Sequence, residues 1–216
     1  MSASRPRSIL KVALAAAEKA TFDSDEGATS VKQLGLLNEQ WAQSYVGHAI
    51  SRHLQQAYEI EDSWPLVTYE TSAAWIDYFV PERSPGPYAT GLGDKSRFDL
   101  TVWHKNRTIE GLVEIKDQPV MEQYSKSRDP GKLVAALRRW PTIKWGIFLY
   151  SVRATDHYDD DKMNQHLSAK IDRVDSAVQV IDKRFKVAFD RLNPQARSTK
   201  CVMWSGAIIR RQDDYY

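Results

Sequence analysis

RFDLTVWHKNRTIEGLVEIKDQ, residues Arg97–Gln118, reads as a β-hairpin. One strand runs over Phe98–Trp103 and the next over Thr108–Lys116, joined through His104, Lys105, Asn106 and Arg107. Phe98, Leu100 and Val102 alternate with Asp99, Thr101 and Trp103. Ile109, Val113 and Ile115 alternate with Thr108, Glu110, Leu112, Glu114 and Lys116. Period-two alternation predicts one buried face and one polar face. Pairing His104 with Arg107 across a two-residue turn sets Asp99 opposite Leu112, Leu100 opposite Gly111, Phe98 opposite Val113 and Val102 opposite Ile109. The apolar residues then meet on one face, and Asp99, Glu114 and Lys116 share the other. Glu114 becomes the diagonal neighbour of Asp99, roughly 7–8 Å away, so both side chains can converge on one ion. A one-residue slip would drive the carboxylates into the core, so burial enforces the parity.

Two carboxylates and a lysine on one sheet face suit a hard cation. Mg²⁺ or Mn²⁺ binds through one or two carboxylates together with substrate phosphate. Such an ion lowers the pKa of a bound water and shields a phosphodiester. A lysine two residues from a ligand can stabilise the developing negative charge. The pattern of Asp99 followed by Glu114-Ile115-Lys116 resembles the PD-(D/E)xK, or restriction-endonuclease-like, nuclease superfamily. The resemblance spans about Gly35–Ser151, and Phe98 stands where the name-giving proline would be. It implies catalysis by Asp99, Glu114 and Lys116. The metal would be held by Asp99, Glu114 and the backbone carbonyl of Ile115. It also implies that the helix before the sheet supplies an acidic residue, for which Glu39 is the candidate. A first-turn Glu favoured by the helix dipole is the plain alternative for Glu39.

The rest of the chain is read around this hairpin. The 216 residues, 42% hydrophobic and 11% aromatic, suffice for one domain with a real core. One cysteine, Cys201, excludes an internal disulfide and suits a reducing, cytoplasmic setting. No apolar run reaches transmembrane length, so no membrane partner is expected. Residues 1–94 carry 7 basic and 12 acidic side chains, residues 95–153 carry 12 and 6, and residues 154–216 carry 11 and 10. The positive excess therefore sits around the hairpin, as a polyanion-binding face needs. Arg97, Lys126, Arg128, Arg138 and Arg139 are its candidate nucleic-acid contacts.

Residues 1–7 are expected to be disordered, with helices over Ser8–Ala20 and Leu36–Ala57. Ala42, Val46, Ala49, Ile50, His53 and Ala57 give the second helix its apolar stripe. Trp64–Glu70 and Ala74–Val80 are predicted as strands. Glu70 and Asp77 are further acidic candidates, read as structural rather than catalytic. Pro81–Ser96, with three prolines and three glycines, is predicted as a loop at the cleft mouth, where Tyr88 can stack on a base. Val120–Ser127 is predicted as a short helical turn. A helix follows from Asp129 to Trp140, with Lys132, Arg138 and Arg139 facing out, and then a buried strand over Ile143–Val152. A long helix is expected over Asp161–Leu192, then a closing strand over Cys201–Ile209.

The predicted fold class is α/β. A restriction-endonuclease-like αβββαβ core would hold a central mixed sheet flanked by helices, with an added long C-terminal helix and a closing strand. The whole chain is expected to be one domain: an N-terminal helical extension (1–34), the core (35–152) and the C-terminal helix and strand (153–216). The expected function is metal-dependent phosphodiester hydrolysis, with DNA ahead of RNA, Mg²⁺ or Mn²⁺ as cofactor, and a larger complex or activator as further partner. The long apolar stripe adds the expectation of a homodimer. The rivals are a non-catalytic nucleic-acid-binding module on the same fold and an oligomeric interaction protein.

Overall fold

The computed structural model describes residues 4–27, 34–58, 66–80, 82–89, 91–117, 129–155, 160–193, 195–197 and 200–212. Helices α1 (Ser4–Gly27) and α2 (Leu34–Tyr58) precede strand β1 (Val67–Ser72), helix α3 (Ala73–Phe79) and strands β2 (Arg97–Trp103) and β3 (Ile109–Asp117). Helix α4 (Asp129–Arg139), strand β4 (Trp145–Thr155) and helix α5 (Asp160–Gln179) follow. The last elements are strands β5 (Phe185–Arg191), β6 (Gln195–Arg197) and β7 (Lys200–Arg211). The strands form one mixed seven-stranded sheet in the order β1-β2-β3-β4-β7-β5, with β6 also paired to β7. β3 and β4 are parallel, and α4 makes the crossover that parallel neighbours require.

Both faces of this sheet are covered. Ile9, Leu10, Leu14, Val46 and Ile50 of α1 and α2 pack with Leu100, Val102, Val113, Ile115, Ile147 and Leu149 on one face. Leu133, Leu137, Leu167 and Ile171 of α4 and α5 pack with Trp103, Leu112, Phe148 and Tyr150 on the other. The expected polar face of the hairpin is therefore buried too, and Glu110 and Glu114 lie at 0% and 3% exposure. β3 accordingly buries apolar residues in both cores, Ile109 and Leu112 in one and Val113 and Ile115 in the other, as a strand sandwiched between helix layers does. Gly111 suits this packing, because a Cβ there would fall 2.3 Å from the Trp145 ring. Arg5, in the segment expected to be disordered, sits in α1 with its Nε 2.7 Å from Glu110 Oε1. The N-terminal helix is thus an integral layer of the fold, with Ile9 and Leu10 fully buried.

Two sequence expectations fail for physical reasons. The segment expected as a strand over Ala74–Val80 is instead helix α3, which ends at Phe79. The Ser72 hydroxyl caps it by accepting the Trp75 N–H at 3.2 Å, and Ala73, Ile76 and Val80 are buried at helical spacing. The long helix ends at Gln179 rather than Leu192. Phe185 and Phe189 fit a step of four but equally a step of two, and strand pairing with β7 decides for the strand. The Asp182 carbonyl accepts the Phe185 N–H at 3.0 Å and closes the turn. Met163, Leu167, Ile171, Val174 and Val178 of α5 are all buried in the chain's own core, so this stripe offers no helix face to a second copy.

Asp77 organises the loop beneath α3. It accepts hydrogen bonds from Trp140 Nε1 at 2.7 Å, Tyr88 Oη at 2.9 Å and Arg139 Nη2 at 3.3 Å. Burial alone would raise its pKa, but these three donors hold it below the ordinary carboxylate range. Tyr88, expected at the cleft mouth to stack on a base, is instead spent here, with the Arg139 guanidinium 5.0 Å above its ring. Asp77→Ala is expected to destabilise the fold by about 3 kcal/mol, since it leaves Trp140 Nε1 and Tyr88 Oη without their acceptor and Arg139 without its counter-charge. Urea unfolding measures this, and a loss below about 1 kcal/mol would refute the clamp role.

Among the described residues, no helix is long and apolar enough to cross a membrane.

Candidate functional site

The hairpin register differs from the expected one by two residues. Leu100 pairs with Val113, Thr101 with Leu112 and Val102 with Gly111, and the ladder shifts before Trp103 pairs with Ile109. The cause is the connection, which is wider than a two-residue turn. The His104 N–H donates to the Thr108 carbonyl and the Arg107 N–H to the His104 carbonyl. Arg107 takes φ +66° and Asn106 Oδ1 accepts the Thr108 N–H. An even shift keeps the parity. One step beyond the Leu100–Val113 pair, Asp99 and Glu114 stand directly across from each other rather than on a diagonal.

Asp99 Oδ2 accepts the Ile115 N–H at 2.6 Å, which ties the acid to the backbone between Glu114 and Lys116. Burial pushes the Asp99 pKa up to about 7. The Ile115 N–H and the charge of Lys132 oppose the rise, and the charges of Glu39 and Glu70 add to it. Glu114 is also raised well above the usual range, first by burial and then by the charge of Asp99, against the pull of Lys132.

Lys116 Nζ lies 3.0 Å from Glu39 Oε2 and 3.3 Å from Glu39 Oε1. The structure thus brings Glu39 of α2 to the end of β3, into the group formed by Asp99, Glu114, Ile115 and Lys116. Burial alone would lower the Lys116 pKa, but the hydrogen bond and charge of Glu39 lift it, helped by Asp129 and Asp99. The ammonium is therefore kept charged. The next residue, Asp117, is clamped by Arg153 Nη2 at 2.7 Å and Nε at 3.2 Å and by the Ser151 hydroxyl, which fixes the strand end.

Three further residues belong to the site. Gln43 Nε2 donates to the Asp99 carbonyl at 2.8 Å and to Glu70 Oε1 at 3.1 Å. It stands one helical turn after Glu39, and that spacing was its available signal. Glu70 adopts φ +49°, a left-handed conformation unusual for a residue with a side chain. The β1–β2 ladder passes from Tyr69–Leu100 to Thr71–Phe98 around it. Lys132 of α4 turns inward, its Nζ 2.7 Å from Glu114 Oε1, although its place in the helical pattern predicts a surface position.

The expected nucleic-acid contacts separate into groups. Arg97 is exposed at the head of β2. Arg138 pairs with Asp182 and lies 6.0 Å over the Phe185 ring. Arg139 does not face out: its side chain is 11% exposed and donates to the Ser84 and Gly86 carbonyls as well as to Asp77. It holds the loop and offers no charge to a phosphate. Lys126, Arg128 and the helical turn expected over Val120–Ser127 lie outside the described residues.

Among the described residues, no three His, Cys, Asp or Glu side chains are grouped to hold a metal ion on their own. Mg²⁺ needs fewer, since it keeps several waters and takes one or two carboxylates. Asp99 and Glu114 supply hard oxygens at one level of two neighbouring strands, and the Ile115 carbonyl lies between the motif residues. A buried carboxylate pair whose proton affinities are both raised gains by taking up a cation. The residues present therefore fit a divalent ion.

No protein-family model matches this chain, and neither the curated proteins nor the solved structures contain a significant match to it.

Proposed function

We propose that this protein is a divalent-metal-dependent nuclease that hydrolyses phosphodiester bonds, with DNA ahead of RNA as its substrate. The observation that carries the reading is the meeting of Asp99 and Glu114 across neighbouring strands, with Lys116 two residues further on and Glu39 against it. The order α2-β1-β2-β3-α4-β4 supports a restriction-endonuclease-like core, with α3 as an insertion. Asp99, Glu114 and the Ile115 carbonyl would hold Mg²⁺ or Mn²⁺, which supplies charge neutralisation and a more acidic attacking water. Lys116, kept protonated by Glu39, stabilises the negative charge that grows on the phosphate. Gln43 fixes the Asp99 backbone, and Asp117 fixes the strand that carries Lys116.

One observation favours a second reading, a non-catalytic nucleic-acid-binding module. Lys116 and Lys132 each already face a carboxylate, so the site is charge-paired without an ion. Calorimetry with Mn²⁺ separates the two. Wild type is expected to bind the ion and Asp99→Ala to lose at least about tenfold in affinity. Equal heats from both proteins would end the nuclease reading.

A further inference from the structure

Lys132 has an unusual position for a helix-surface lysine. Its side chain is 15% exposed, and its Nζ lies 2.7 Å from Glu114 Oε1 and 2.7 Å from the Arg97 carbonyl. The same nitrogen stands 5.3 Å over the Phe98 ring. It is the cation that faces the nearly buried Glu114 where a divalent ion would have to bind. An ammonium and a divalent ion cannot share one carboxylate oxygen at this distance without strong repulsion. Lysine, a point charge on a flexible four-carbon stem, can swing away while its helix stays in place. Once it leaves Glu114, the Arg97 carbonyl and the Phe98 ring remain as neutral partners, and a half-desolvated ammonium needs an anion. Arg97, whose carbonyl it already holds, is exposed at the rim where a polyanion would lie.

We propose that Lys132 keeps the place of the divalent cation beside Glu114, and that on metal arrival its displaced ammonium becomes a phosphate contact for bound nucleic acid. This rests on the nuclease reading above and deepens it: metal uptake and substrate grip become one event, because the ion releases the lysine that the phosphate receives.

Three measurements test it. In Mn²⁺ calorimetry, Lys132→Met removes the competing charge, so the variant is expected to bind Mn²⁺ about tenfold more tightly than wild type. Binding of a labelled DNA duplex is then followed against salt concentration, with Ca²⁺ present and absent. The slope of log affinity on log salt is expected to fall by about one in Lys132→Met with Ca²⁺ and to stay unchanged without it. Equal or weaker Mn²⁺ binding, or slopes that do not separate with Ca²⁺, would overturn the proposal. If Lys132→Met fails to fold, lysine-selective ¹⁵N spectra of wild type decide, with Lys132→Arg assigning the Nζ signal. That signal is expected to be exchange-protected without metal and to vanish at saturating Mg²⁺, and its persistence would refute displacement. A wild type that takes up no Mn²⁺ overturns the nuclease reading together with this one. Wild-type uptake that Lys132→Met leaves unaltered overturns only the role of Lys132.

Discussion

Lys116→Ala is expected to slow metal-dependent cleavage of labelled DNA by about 10²–10³-fold, with substrate binding largely retained. The charge that Lys116 stabilises grows only as the phosphate is attacked, so its loss falls on the chemical step. The substitution spares the fold. Lys116 and Glu39 are 38% and 36% exposed at their side chains, so the carboxylate left behind is hydrated rather than stranded. Retained folding makes the kinetic reading clean: kcat should drop while the dissociation constant measured in Ca²⁺ stays near wild type. Single- and double-stranded DNA and RNA are the substrates to compare, each with Mg²⁺ and Mn²⁺. A Lys116→Ala protein that cuts as fast as wild type would show the site assignment to be wrong. A wild type that binds Mn²⁺ yet cuts none of the four substrates, with or without an activating partner, would favour the binding module.

Removing the Asp99 charge is expected to stabilise the metal-free protein at alkaline pH. The Asp99 pKa stands near 7 in the fold against 3.8 for the ordinary group. Between these values the native state holds a proton that the unfolded chain has lost. Stability is therefore full below about pH 4 and falls as pH rises toward 7, at up to about 1.4 kcal/mol per unit. Glu114, raised for similar reasons, adds to the same trend. Asp99→Asn keeps an oxygen to accept the Ile115 N–H but never ionises, so its stability should fall less steeply over this window. By pH 8 the variant should be the more stable protein in EDTA. Added Mn²⁺ should narrow the gap, raising wild type by about 2.7 kcal/mol at 100 times its dissociation constant and the Asn variant by less. Urea titrations at pH 4, 6 and 8 provide the check. Parallel pH profiles for the two proteins would show that Asp99 is not strained by its setting.

The site end of the hairpin was legible because parity is robust. Asp99, Glu114 and Lys116 kept the relation that alternation implies, since an even shift preserves the face, whereas Phe98 and Ile109, expected beside Leu100, Val113 and Ile115, pack in the opposite core, the ladder shifting by one at Trp103–Ile109. The displacement itself depended on a turn at Arg107 with positive φ, which no glycine announces. Ala73–Phe79 misled because its aromatic residues favour strands by composition, whereas the Ser72 cap and the burial of Ala73 and Ile76 made it a helix. Residues 181–189 misled because a spacing of four satisfies both periods. Glu39 was singled out only by the resemblance, and the structure sets it against Lys116. Lys132 was not legible, because its inward turn depends on how α4 packs against β3 and β4, a tertiary fact with no local mark. Arg139 was misplaced for the same reason: its charge suggested the surface, and the carbonyls of a loop more than fifty residues earlier drew it in.

The place of β7 has a consequence for how the molecule is made. Among the described residues it follows every other strand in sequence, yet it lies between β4 and β5 and also carries β6. It meets α1 as well: Trp204 Nε1 donates to Thr21 Oγ1 at 2.9 Å, and a Cβ at Gly206 would come 2.5 Å from Leu10 Cδ1. During synthesis the first helix thus leaves the ribosome with part of its docking surface still untranslated. Until residues near 211 emerge, β4 is an open apolar edge and β5 has no neighbour, the condition in which nascent chains associate with one another. Closure over so long a sequence separation also makes refolding slow for a chain of this size. Ending translation before β7 would forfeit β5 and β6 together with it, and would expose the strand that runs beside Glu114 and Lys116.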